Sequence, residues 1–109
     1  MNFFKEIFVF AGPNGSGKST VIKYFLEKQL CPPDYICPDD LVPIEKKENR
    51  EEYIKAMKLA ETKRIENVEK GKSFTFETVL STSEKIDFLI DSKTKGFKIT
   101  TVYITTSNP

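Results

Sequence analysis

The chain has 109 residues, 39% of them hydrophobic and 30% charged, with a formal net charge of +1 and no histidine. That length allows a single domain, residues 1–109, and so even a charge balance leaves no footprint for nucleic acid or an acidic membrane surface. Without histidine a general base has to be a carboxylate, and a zinc site is close to excluded.

Taken in order, the apolar residues of 1–10 run into a glycine-rich stretch without a small-residue cleavage site, so they do not read as a secretion signal. No apolar run reaches bilayer length. Two cysteines, Cys31 and Cys37, are too few for a disulfide scaffold; a reduced, cytoplasmic setting is the expectation. "EIFVFA", residues 6–11, is a short continuous apolar run ended by Gly-Pro and suits a strand buried on both faces. "KSTVIKYFLEKQL", residues 18–30, puts Val21, Ile22, Phe25, Leu26 and Leu30 at helical spacing before "CPPD" stops it. "YIC", residues 35–37, is a brief second strand, and residues 41–49 read as a loop. Residues 49–70 follow a charged helical pattern whose stripe is Tyr53, Met57, Ala60 and Val68, with Gly71 as its end. "SFTFETVL", residues 73–80, alternates as a strand does. Residues 81–96 open on a Ser/Thr/Ser cap and end at Gly96 as a helix does, and "FKITTVYITT" is a last β-branched run. Strands alternating with helices predict an α/β fold, a parallel sheet covered by helices.

Residues 12–19, "GPNGSGKS", satisfy G-x-x-x-x-G-K-[ST], the Walker A pattern, between a strand and a helix. Gly12, Gly15 and Gly17 let the backbone take positive φ and approach a ligand closely. Successive N–H groups then form an anion nest, and the following helix adds its positive end. Lys18 is spaced to reach the β- and γ-phosphates of a nucleoside triphosphate, the Ser19 hydroxyl to ligate Mg²⁺, and Thr20 to support the α-phosphate side. Gly12, Pro13, Asn14, Gly15, Ser16, Gly17, Lys18, Ser19 and Thr20 together form the expected nucleotide site.

"YICPDDL" ends a strand with Asp39 and Asp40, and ligands of open parallel sheets bind beyond the carboxyl ends of strands. Either could serve as general base for a hydroxyl attacking the γ-phosphate, or could cap the turn after Pro38; local sequence leaves both open. Glu77 and Thr78 close the third strand, as a pair able to hold sugar or alcohol hydroxyls or as a polar strand end capping the next helix. Arg64 reads as a solvated helical arginine, Cys37 as a buried inert thiol, and the helical lysines as a solvated face.

"AGPNGSGKST", "YICPDDL" and "GKSFTFETVLS", in that order, resemble the zeta toxin family of P-loop kinases, closest to its small bacterial members described as predicted ABC-type ATPases. The resemblance implies a P-loop kinase fold that uses ATP and Mg²⁺ to phosphorylate the sugar of a UDP-N-acetylamino sugar, with an antitoxin protein as blocking partner. It makes Lys18 and Ser19 the phosphate and Mg²⁺ residues, Asp39 the base, and Glu77 and Thr78 the substrate-positioning pair. Cys37 stands where the family usually has Asn, and Val79 where it often has a second Thr.

Family members continue past the fourth strand into an arginine-bearing lid and C-terminal helices, whereas only Arg50 and Arg64 are present here. Arginines in such positions contribute about three orders of magnitude or more to rate. The chain is thus expected to be the N-terminal part of such a kinase, weak in catalysis and marginally stable or self-associating. The alternative is a catalytically inactive nucleotide-binding module that engages an antitoxin or partner chain. An ABC-transporter ATPase fits worst, since the sequence has no LSGGQ-like signature and no apolar run ending in Asp-Glu.

Overall fold

Five consecutive residues of the first strand, Ile7, Phe8, Val9, Phe10 and Ala11, are buried. Successive side chains of a strand point to opposite faces, so a run buried throughout requires cover on both. The computed structural model supplies that cover, and describes residues 5–13, 17–42, 49–78 and 83–105; the side chains of residues 39, 40, 83 and 84 lie outside the description. The described elements are β1 (Lys5–Ala11), α1 (Lys18–Glu27), β2 (Tyr35–Ile36), α2 (Arg50–Lys70), β3 (Phe74–Thr78), α3 (Ser83–Thr94) and β4 (Phe97–Tyr103), with a 3₁₀ turn at Pro38–Leu41.

The four strands form one sheet in the order β2-β3-β1-β4, and each neighbouring pair is parallel. The expected α/β architecture is borne out. On one face α1 packs Ile22, Val21, Phe25 and Leu26 against Phe8 and Phe10. On the other, Ala60 and Val68 of α2 and Phe88 and Leu89 of α3 meet Ile7, Val9, Phe74, Phe76 and Phe97. The β1-to-β2 crossover runs one way along the sheet over one face. The two later crossovers run the other way over the opposite face, as a constant right-handed sense demands. Burying a side chain such as Phe74 or Phe76, both essentially inaccessible, stabilises the fold by about 1.5–3 kcal/mol. Among the described residues no helix is long and apolar enough to cross a membrane.

Several expectations need correcting. β3 forms the expected strand, but it is buried on both faces: Thr75 is as buried as Phe74 and Phe76. Its hydroxyl donates to the Pro32 carbonyl at 2.7 Å and its N–H to the Asp34 carbonyl at 2.9 Å, so it pins the α1–β2 connection onto the sheet. The predicted helix over residues 18–30 stops at Glu27. Gln29 is left-handed at φ 56°, its N–H bonding the Leu26 carbonyl while that of Leu30 reaches Phe25. This is a Schellman termination with glutamine where glycine is usual. The stripe of α2 is shifted: Ala56, Ala60 and Val68 are buried, whereas Tyr53 and Met57 are exposed. β2 is shorter than expected and excludes Cys37. Residues 43–48 of the expected loop, and residues 79–82, lie outside the described residues.

Candidate functional site

β1 and β3 are neighbours whose outgoing connections leave toward opposite edges and faces, and such a switch point opens a crevice at the carboxyl edge of a parallel sheet. The glycine-rich loop leaves β1 there. Gly12 donates its N–H to the Thr78 carbonyl at the end of β3, 3.2 Å away, so loop and strand end are tied. Asn14, Gly15 and Ser16 lie outside the described residues.

The two ends of that sequence pattern are described. Gly17 holds φ 84° at the N-cap of α1, a left-handed conformation strained for other residues. A Cβ there would meet nothing within 4 Å, so backbone conformation rather than space asks for glycine. No described side chain caps α1, and its first turn carries no acidic residue. α2 shows the opposite treatment: the Asn49 side chain accepts from the Glu51 and Glu52 N–H groups, and those two carboxylates sit in the first turn. One helix N-terminus is closed by the protein's own oxygens. At the other, among the described residues, no side-chain oxygen caps the N–H groups, and the positive dipole end lies beside the crevice.

Lys18, first residue of α1, is 7% exposed. Its ammonium donates to the Gly12 carbonyl at 2.7 Å and lies 3.9 Å from Glu77 Oε2. A buried cation needs such partners to be tolerated. Glu77 Oε1 accepts from Cys37 Sγ at 3.3 Å. Cys37 is buried and forms no disulfide, as does Cys31. The register pairs Ile36 with Phe76, which is why the next residue along each chain, Cys37 just past β2 and Glu77 within β3, can meet. Beside them Ser19, Ile22, Leu26 and Tyr35 line a cleft of about 290 Å³, at the small end for ligand pockets. Lys23, Glu27, Cys37 and Glu77 complete a lining that mixes apolar and polar side chains. The Tyr35 phenol is pushed well above its ordinary pKa, first by burial and then by its Cys37 and Glu77 neighbours.

Glu77 and Thr78 do not act side by side, because adjacent strand residues face opposite ways. Glu77 joins Lys18 on the α1 face, while the Thr78 hydroxyl accepts from Lys85 Nζ at 2.9 Å on the α2/α3 face. There the expectation of a solvated Arg64 fails: its guanidinium lies over the Phe76 ring at 5.0 Å from the centroid, and burial lowers its pKa. Lys85 escaped sequence reading altogether, as one of many helical lysines. The backbone of Asp39 lies in the 3₁₀ turn just beyond Cys37, at the cleft's end of β2; its side chain, like that of Asp40, lies outside the description.

No family model and no curated protein matches the chain. Solved structures do. A candidate kinase from Chloroflexus aurantiacus aligns with a TM-score of 0.66 at 11% identity, over 94% of this chain and 61% of that one. The Pnkp1/Rnl/Hen1 complex contains a chain that aligns with a TM-score of 0.68 at 17% identity, over 95% of this chain and 36% of that one. The fold is P-loop kinase-like. At these identities the likeness is one of fold, and the chain spans less than two thirds of either structure's length.

Proposed function

We propose that this chain binds the phosphates of ATP at the open N-terminus of α1 and forms the donor half of a zeta-toxin-like kinase that phosphorylates a small-molecule hydroxyl. The observation that carries the reading is the contrast between the two helix N-termini, with Lys18 folded against the open one. A phosphate arriving there meets N–H groups that no described side chain caps, and Lys18 exchanges the Gly12 carbonyl for a charge-assisted bond, worth about 1.5–3 kcal/mol. The Ser19 hydroxyl is exposed on the first turn of α1 and Glu77 opens onto the same cleft. This donor set suits Mg²⁺, which takes one or two protein oxygens and completes its shell with phosphates and water. Bound there, Mg²⁺ supplies charge neutralisation across the transferring phosphoryl group.

The cleft beside Ser19 and Glu77 seats the acceptor's reacting end, a UDP-N-acetylamino sugar being the candidate from the sequence resemblance. Glu77 orients the acceptor hydroxyl. Asp39 takes that hydroxyl's proton as its oxygen bonds the γ-phosphorus and the bond to the β-phosphate oxygen breaks, releasing ADP. Thr78 acts from the other side of β3, through Lys85. An antitoxin protein covering the nucleotide site follows from the same resemblance, and a cytoplasmic setting from the two cysteines, which form no disulfide.

Calorimetry with Mg·ATP tests the binding step: the wild-type chain binds, and Lys18→Ala weakens binding by roughly 10-fold or more. Equal affinity in both chains contradicts the site. Transfer of labelled phosphate from ATP to UDP-N-acetylglucosamine, abolished in Asp39→Asn, tests the kinase step. Binding without transfer in any acceptor screen leaves a nucleotide-binding module instead.

A further inference from the structure

Three cations converge on the carboxyl end of the β1–β3 seam. Lys18 stands on the α1 face, while Lys85 and Arg64 approach from the α2/α3 face. Lys85 Nζ is held at 2.9 Å by the neutral Thr78 hydroxyl. Thr78 pairs in register with Ala11, immediately before the Gly12 carbonyl that holds Lys18. The two ammonium groups therefore flank adjacent strands, which lie about 4.8 Å apart. Arg64 is fixed against Phe76 at 5.0 Å, on the same strand and the same face as Thr78. Among the described residues neither Lys85 nor Arg64 has a carboxylate within 4.0 Å, although Glu61, one turn earlier on α2, favours the charged Arg64 from farther away. Glu77, the carboxylate nearest to Lys18, points to the other face.

Burial, together with the charges of Arg64 and Lys18, lowers the pKa of Lys85. A half-buried cation facing two others is an unfavourable arrangement for a chain alone, and a favourable one around a multiply charged anion. Three other lysines differ: Lys23 and Lys55 are exposed and paired with a carboxylate on their own helix, and Lys95, just past α3, is exposed and paired with Asp91.

We infer that Lys85, backed by Arg64, is a second phosphate-binding cation that releases Thr78 to contact the γ-phosphoryl group of the bound nucleotide from the side opposite the acceptor cleft. It would supply, from within the sheet's own helices, positive charge at the transferring group. The inference rests on the nucleotide reading above. A phosphate of the acceptor offers the same chemistry, but the acceptor cleft opens on the α1 face, away from Lys85.

The test compares binding of Mg·ADP and of Mg·AMP-PNP, a non-hydrolysable ATP analogue, by calorimetry on the whole chain. The wild type prefers AMP-PNP. Lys85→Met keeps the stem and removes the charge; it loses roughly 10- to 100-fold in AMP-PNP affinity while ADP affinity changes less than about 2-fold. Lys85→Arg retains the preference. Because Lys85 is an unfavourable cation in the empty site, Lys85→Met melts no lower than wild type without nucleotide. If wild type binds both nucleotides equally, if Lys85→Met weakens them equally, or if it weakens only UDP-N-acetylglucosamine binding, the assignment of Lys85 is wrong while the phosphate loop stands. If wild type binds neither nucleotide, the loop reading fails and Lys85 falls with it.

Discussion

An ammonium buried as deeply as that of Lys18 has to be surrounded by oxygen, and here the oxygens are the Gly12 carbonyl and, farther off, Glu77. The place of Lys18 at the start of α1 was legible in the spacing of glycines before it. Its companions were not, because Cys37 and Glu77 lie 40 positions apart and meet only once β3 inserts between β1 and β2. Arg64 was misread for a related reason: a guanidinium on a charged helix looks solvated until the neighbouring strand offers an aromatic face. Tyr35 carries a prediction at this scale. Its pKa is raised above the unfolded value of 10.0, first by burial. The folded chain then keeps the phenolic proton longer than the unfolded chain. Stability from that difference is fully present below about pH 10 and is lost as pH rises beyond it. Thermal melts at pH 9 and pH 11 should show a larger drop for wild type than for Tyr35→Phe; equal drops would show that the phenol is not held this way.

Among the elements, those with standard punctuation were readable. α2 begins after the Asn49 cap and ends at a left-handed Gly71, φ 70°, and both signals stand in the sequence. The end of α1 was not readable, since its left-handed residue is glutamine rather than glycine or asparagine. That position yields the second prediction. Left-handed backbone costs an L-residue about 1–2 kcal/mol, and glycine gives back about 0.4–1 kcal/mol through the freer unfolded chain. Gln29→Gly should therefore stabilise the fold by roughly 0.5 kcal/mol in urea unfolding. A loss of stability would mean that the Gln29 side chain contributes packing that outweighs the strain. The hydrophobic stripe of α2 was misplaced because the buried positions are filled by small Ala56 and Ala60 and continued by Arg64, while larger Tyr53 and Met57 remain outside. Size pointed to the wrong face; close approach of the helix to the sheet selected the small residues.

For the whole molecule, alternating strands and helices were enough to predict a parallel sheet, but chain order does not state strand order. The order β2-β3-β1-β4 decides the function of the carboxyl edge. It sets the loop after β1 against the end of β3, leaves the Ser19–Glu77 cleft on the α1 face, and brings Lys85 and Arg64 to the opposite face. On the proposed reading, this places a donor phosphate between two sets of cations and an acceptor beside a carboxylate. All of this depends on the N-terminus of α1 being open for phosphate while that of α2 is closed by Asn49. The most direct measurement is the amide ¹⁵N–¹H spectrum of the chain titrated with Mg·ATP. The N–H signals of Lys18, Ser19 and Thr20 should move on addition, while those of Glu51 and Glu52 stay in place. Unmoved α1 signals, or shifts confined to α2, would contradict a phosphate site at the end of β1.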